Sequence, residues 1–331
     1  MPTYLPIGLG AGLAAAVLFA SASTGSLLTR FLLFFLAPLP AFLAGLGWGW
    51  LAALTASIAG TLVIGLVTSP GIALVYGLSQ GAPVVLLCYL AYLNRVAGQL
   101  PDGSPDVEWY PVGRLVLWAA VVAGALAGLS LLMLGGDLAA LRSGLKVFLE
   151  KTVLQELSPL GGKTLSPQQV DALTDVALYM LPAVSAISWL MGFLFNLWLA
   201  GRITLASGRL LRPWPDLAGI HFPPGSALGL AAATGASFMT GIVGLMAAGV
   251  AGALLMAYVL LGLAIAHYAT RGKAWRPFLL SAIYAALLML VPWSALGIAL
   301  IGLAEPFAPW RRRYPAPPAP PPPPGPSGPA S

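Results

Sequence analysis

The stretch VGRLVLWAAVVAGALAGLSLLML, residues 112–134, decides the fold class. It carries one charged residue, Arg114, and a second block, Ile72 to Leu93, carries none. Roughly 20 mostly apolar residues are enough for a helix to cross about 30 Å of hydrocarbon. Across all 331 residues, 59% are hydrophobic and 8% are charged. A soluble domain usually has about 25% charged residues to keep its surface in water. This chain has too little charge to coat a globule of its size. Its 39 glycines suit packed membrane helices, where small residues let backbones approach. We therefore read an all-α fold, a polytopic transmembrane helical bundle of about 8–10 membrane-embedded helices.

Outward from that block, spans are expected near residues 5–23, 30–46, 48–67, 72–93, 112–135, 176–200, 226–246 and 248–269. The apolar region from Pro277 to Phe307 reads either as one span or as a short hairpin broken at Pro292, and the hairpin returns the tail to the cytoplasm. The membrane domain covers 1–310 and holds one polar insertion at 135–175. Within that insertion Leu138, Leu141, Leu145 and Phe148 fall on one helical face, with Arg142, Lys146, Glu150 and Lys151 mostly on the other. Such a helix lies at the membrane surface or packs, solvated, on neighbouring loops. Ser166, Pro167 and Gln169 form a capping box at the start of the sixth span. That span is longer than a bilayer, so its first turns should stand in water. Residues 311–331 read as a basic, then proline-rich, disordered cytoplasmic tail.

Positive charge orients the bundle. Arg95 and Arg114, then Arg202, Arg209 and Arg212, then Arg271, Lys273 and Arg276 occupy loops two crossings apart, so one side collects them. That side is expected to be cytoplasmic, with both termini on it, in a bacterial inner membrane. Trp109, Trp214 and Trp275 accompany these charges. Arg209, Arg212, Trp214, Trp275 and Arg276 are read as anchors at the lipid headgroup level, where each charge gains roughly 1 kcal/mol. The lipid bilayer is thus the expected partner, and nucleic acid is not. The first apolar stretch lacks a basic n-region, and an uncleaved anchor is expected.

No chemistry-bearing cluster emerges. Cys88 stands alone inside an apolar stretch, and His221 and His267 are the two histidines, so no metal ligand set forms. GASF at Gly235–Phe238 lacks the flanking pattern of an intramembrane serine protease. GGKT at Gly161–Thr164 lacks the earlier glycine of a phosphate loop. The expectation is a non-enzyme without cofactor, catalytic residue or metal. Span interiors are nearly free of ionisable groups, which argues against proton or ion coupling. Gln80, beside Gly77, Gly81 and Pro83, marks a place where the helix could loosen, and Tyr76 lies one turn away. Together with Trp189 and Asn196 on the sixth span, these form the candidate solute locus. The alternative is that such residues bond across helices.

Four segments carry a family resemblance: GLGWGW (Gly45 to Trp50), YGLSQGAPVVLLCYLAYLNR (Tyr76 to Arg95), FNLWLAGRITLASGRLLRPWPDLAGIHFPP (Phe195 to Pro224) and GLAEPFAPWRRR (Gly302 to Arg313). They resemble the bacterial membrane proteins catalogued as domain of unknown function 2232, also called YybS-like. That family is similar in turn to the substrate-binding S components of energy-coupling-factor vitamin transporters. The resemblance implies an S-component-like core and a solute-binding or transport-related role. It also implies docking on a membrane partner through small residues of the first helix, here Ala11, Ala15, Ala16 and Ala20. The rival reading is a non-transporting scaffold for cell-envelope or division assembly.

Overall fold

The computed structural model describes residues 3–99, 103–135, 137–153 and 165–307. In chain order the helices are α1 (Tyr4–Ser21), α2 (Leu27–Leu36), α3 (Leu39–Trp48), α4 (Trp50–Val67), α5 (Pro70–Tyr76), a π-helix (Gly77–Gly81) and α6 (Ala82–Tyr92). A hairpin of β1 (Asn94–Gln99) and β2 (Pro105–Trp109) follows, then α7 (Val112–Met133) and α8 (Leu138–Phe148). The later helices are α9 (Pro167–Ala206), α10 (Ser226–Ser237), α11 (Gly241–Ala269), α12 (Arg276–Met289) and α13 (Trp293–Ala304). Among the described residues seven helical segments are long and apolar enough to cross a membrane, with α2 and α3, and α5 through α6, each counted as one. The chain is a multi-pass, all-α membrane bundle. It divides into two compact units, Met1–Asp216 with Ile220–Ala257, and Leu217–Gly219 with Tyr258–Ser331.

The first unit is held together by small residues. Gly8 and Gly12 of α1 face α4 so closely that a Cβ at Gly8 would lie 2.6 Å from Thr55 Cβ and 2.8 Å from the Ala52 carbonyl oxygen. A Cβ at Gly12 would run into the Ala56 carbonyl. On α4 the complementary face is Ala52, Ala53, Ala56, Ala59 and Gly60, all buried. Close backbone approach replaces the hydrophobic drive, which is absent between helices in lipid. The same device joins α7 to α11, where a Cβ on Gly124 would come within 2.8 Å of Val250 Cα. It also joins α9 to α11 at Gly252 and Ala183. The small face of α1 is therefore occupied within the chain. Ala15 and Ala16 are buried in a cluster with Ile64, Ala73 and Tyr76, while Ala11 and Ala20 of the same face are half-buried.

Several boundaries depart from the sequence reading. The expected spans 226–246 and 248–269 are replaced by the 12-residue α10 and the 29-residue α11. The break falls at residues 238–240, where Gly241 takes φ +79°, rather than at 247, where the apolar run offers no turn chemistry. At about 18 Å, α10 is shorter than the hydrocarbon. The second expected span breaks at Ala37 and Pro38 into α2 and α3. The final region splits at Pro292 into α12 and α13, as the two-helix reading has it. The β-hairpin was not anticipated. Its strands pair antiparallel from Asn94↔Trp109 to Gln99↔Pro105, and Arg95 meets Glu108 at 2.6 Å. The Asp-Gly dipeptide at 102–103, between Val-containing segments of the sequence, was its available signal. The tail 311–331 and GGKT at 161–164 lie outside the described residues.

The polar insertion packs onto α9. Leu141 is buried with Leu131, Leu178 and Leu245. Arg142 reaches Asp175 at 2.5 Å and Asp171 at 3.5 Å, and Lys146 reaches Asp171 at 2.8 Å. α8 thus packs on helices α7, α9 and α11, where the sequence reading had expected neighbouring loops or the membrane surface. The capping box is present, with Ser166 and Gln169 each bonding the other's backbone N–H. At 40 residues α9 is about 60 Å long, so its first turns, carrying both aspartates, stand beyond the hydrocarbon.

The hydrogen bond from Lys146 holds the Asp171 carboxyl below its usual range, and that from Arg142 does the same for Asp175. A depressed carboxylate contributes stability above its unfolded pKa of about 3.9 and loses it as pH falls through the folded value. Amide hydrogen exchange along 138–148 should be slow at pH 7 and, after correction for intrinsic rates, faster at pH 3. The double variant Asp171→Asn/Asp175→Asn should show the fast pattern at pH 7. Equal protection in both proteins would mean that the ion pairs do not hold α8.

Candidate functional site

Pro83 lacks an N–H and its ring crowds the carbonyl one turn earlier, so an unbroken α-helix is strained through residues 77–83. The chain answers with the π-helix Gly77–Gly81, in which the Ala82 N–H bonds the Gly77 carbonyl. π-Bulges widen a helix by one residue and often coincide with functional sites. Ser57 on α4 donates to the Gly81 carbonyl at 3.1 Å and ties the widened turn to its neighbour. The loosening expected around Gln80 is therefore present.

Gln80 is 2% exposed, and neither its Nε2 nor its Oε1 has a hydrogen-bond partner. The Ser79 hydroxyl is likewise buried without one. Leaving such groups desolvated and unpaired costs about 1–3 kcal/mol each. A groove of about 600 Å³ runs beside the π-helix. Its walls include Trp50, Ile58 and Thr61 of α4, Gly77 and Gly81 of the π-helix, and Tyr89 of α6. Trp50 and Tyr89 meet edge to face at 5.6 Å. Gln80 and Tyr76 do not line the groove. They sit in the packed interior, with Tyr76 against Gly60 and Phe19.

The four expected solute-locus residues are only partly brought together. Tyr76 and Trp189 stand at separate points of one aromatic ladder: Tyr76 to Phe19 at 5.0 Å, Phe19 to Phe34 at 5.9 Å, Phe34 to Trp189 at 5.2 Å and Trp189 to Phe193 at 5.5 Å. Asn196 bonds across helices through its amide nitrogen, while its Oδ1 is buried without a partner. Its Nδ2 donates to the Phe35 carbonyl and to the Gly192 carbonyl, both at 2.7 Å. Phe35 lies where α2 stops before Pro38, so the amide caps a carbonyl left open at that break. This is the cross-helix role held open as the alternative.

A second cluster forms at the far ends of α3, α6 and α9. The expected anchors here are packed on protein. Trp214 covers Gly201, whose Cβ would lie 3.0 Å from the ring. Arg202 lies over Trp214 at 5.3 Å, Arg209 over Trp48 at 5.4 Å and Arg212 over Trp109 at 5.6 Å. Arg212 also donates to the Ala91 carbonyl at 2.9 Å, and burial lowers the pKa of its guanidinium. The Tyr92 hydroxyl donates to the Leu46 carbonyl. Trp48 and the Tyr92 hydroxyl were missed in the sequence reading; the signal was an aromatic at each helix end with arginines in a later loop. In the second unit Trp275 is exposed. Arg276 stands 3.5 Å from His267 Nδ1, and His267 Nε2 is 2.9 Å from the Tyr284 hydroxyl.

Replacing Asn196 by leucine should destabilise the detergent-solubilised protein by about 1 kcal/mol, since the Phe35 carbonyl loses its donor. A denaturant titration checks this, and an unchanged midpoint would show that the amide does not hold the break.

Three of the four segments that carried the resemblance, Gly45 to Trp50, Tyr76 to Arg95 and Phe195 to Pro224, thus meet at one end of the first unit. The family described as predicted membrane protein (DUF2232) matches residues 13–305. No curated protein and no solved structure matches the chain.

Proposed function

The chain belongs to the DUF2232 family of membrane proteins, and from that premise we propose that it is a solute-binding, transport-related membrane component and not an enzyme. The solute is small, neutral and amphipathic. Its apolar part lies in the groove between α4 and α6, and the π-helix beside the groove is the element that rearranges to receive its polar part. The observation that carries this reading is the Gln80 amide, buried with neither atom bonded. An amide offers one donor and one acceptor group and no charge, which fits a neutral partner. Neutral chemistry also agrees with spans whose interiors hold few ionisable groups, since charge at membrane depth usually marks ion paths. The likeness to S components supports the transport-related part through the resemblance alone. Ala15 and Ala16 of the docking face that the resemblance implied are packed inside the chain, so that face supports neither the transport-related reading nor the scaffold alternative.

The discriminating variant is Gln80→Leu. Exchanging an unpaired buried amide for an apolar group of similar shape is nearly neutral or stabilising, so the solute-free melting temperature should hold or rise. A metabolite panel should contain neutral amphipathic compounds that raise the melting temperature of the wild type and not of Gln80→Leu. Loss of stability in solute-free Gln80→Leu would assign the amide a structural role. A wild type that no compound stabilises would sink the reading.

A further inference from the structure

We propose that the corner formed by residues 46–49 and the loop after α9 binds the phosphate of an anionic phospholipid headgroup through Arg202, Arg209 and Arg212. The three indoles that carry these arginines, Trp214, Trp48 and Trp109, pack around one short segment. Leu46 approaches Gly201 beneath the Trp214 ring, a Cβ at Gly47 would lie 3.6 Å from Thr204 and 3.8 Å from Arg209 Cβ, and Leu46 accepts from Tyr92, whose ring is 6.4 Å from Trp109. Elsewhere in the first unit Arg95 pairs with Glu108, and Arg142 and Lys146 pair with Asp171 and Asp175. Here indole faces hold the cations instead. A ring attracts a guanidinium without cancelling its charge and covers one face of the plane, leaving N–H edges free to donate. Those edges match the paired oxygens of a phosphate.

Arg212 adds a second pointer. One of its nitrogens holds the Ala91 carbonyl, while its Nε is buried with no hydrogen-bond partner. A cation removed from water with a donor unspent favours an anion at its open edge. The location selects a lipid over a dissolved anion. The cluster sits where α3 and α6 end and α9 gives way to loop, with Trp48, Trp109 and Trp214 half-buried among the helix ends. This is the depth at which indoles meet headgroups. General attraction of basic loops to a charged leaflet is a weaker idea, since it is diffuse and indifferent to which arginine is removed.

The test uses the full chain in neutral detergent, titrated with short-chain phosphatidylglycerol, with phosphatidylcholine of the same chain length, and with inorganic phosphate. Melting temperature and native mass spectrometry provide the readouts. Phosphatidylglycerol should stabilise saturably and appear as a retained adduct, with phosphatidylcholine and phosphate without effect. Arg202→Gln/Arg209→Gln, which alters exposed side chains and spares the interior, should weaken the apparent affinity by roughly tenfold or more. Arg276→Gln, a basic residue of the second unit, should leave it unchanged. Three outcomes would overturn the proposal: an equal shift with inorganic phosphate, an equal loss in Arg276→Gln, or no preference for phosphatidylglycerol.

Discussion

Every backbone carbonyl inside a bilayer needs a donor from the protein, because hydrocarbon supplies none. This chain breaks its helices repeatedly, at Pro38 and Pro83 within its spans and after Trp48 and Tyr92 at their ends. At each break a side chain from another element donates to a carbonyl nearby: Asn196 to Phe35, Ser57 to Gly81, Tyr92 to Leu46 and Arg212 to Ala91. These four contacts bind α2 to α9, α4 to the π-helix, α3 to α6, and α6 to the loop after α9. The first unit is thus stitched by repair of its own interruptions, and the small-residue crossings bring the helices close enough for the repairs to reach.

The same contacts explain what could be read from the sequence and what could not. Span existence was legible because apolar length is a property of one segment at a time. So was the loosening near Gln80, since Gly77, Gly81 and Pro83 act on their own helix. The capping box at Ser166 is local in the same way. The bond from Asn196 to Phe35 was not legible, because the two residues lie 161 positions apart. The bond from Arg212 to Ala91, 121 positions earlier, was hidden for the same reason. The break before Gly241 was missed because hydropathy runs on unchanged through residues 226–246, and only a glycine conformation marks the turn.

The convergence of three resemblance segments at one end of the first unit gives those loose patterns a physical meaning. GLGWGW supplies the thin backbone and the indole that an arginine from Phe195–Pro224 covers. The segment ending in Tyr92 and Arg95 supplies a hydroxyl for the first and a carbonyl for the second. Residues that look like unrelated helix ends along the chain form one interlocked corner. Trp214 against Gly201 shows how tightly, since even a Cβ there would lie 3.0 Å from the ring and require it to give by a few tenths of an ångström.

Three apolar or near-apolar helices, α10, α12 and α13, have 12, 14 and 12 residues. At about 18–21 Å each is thinner than an average bilayer core. Lipid next to them must compress or tilt its chains to avoid uncovering apolar surface, at a fraction of a kcal/mol per Å of mismatch. Acyl-chain length in the host membrane thereby becomes a thermodynamic variable of this protein, with short or fluid chains favoured as its surroundings.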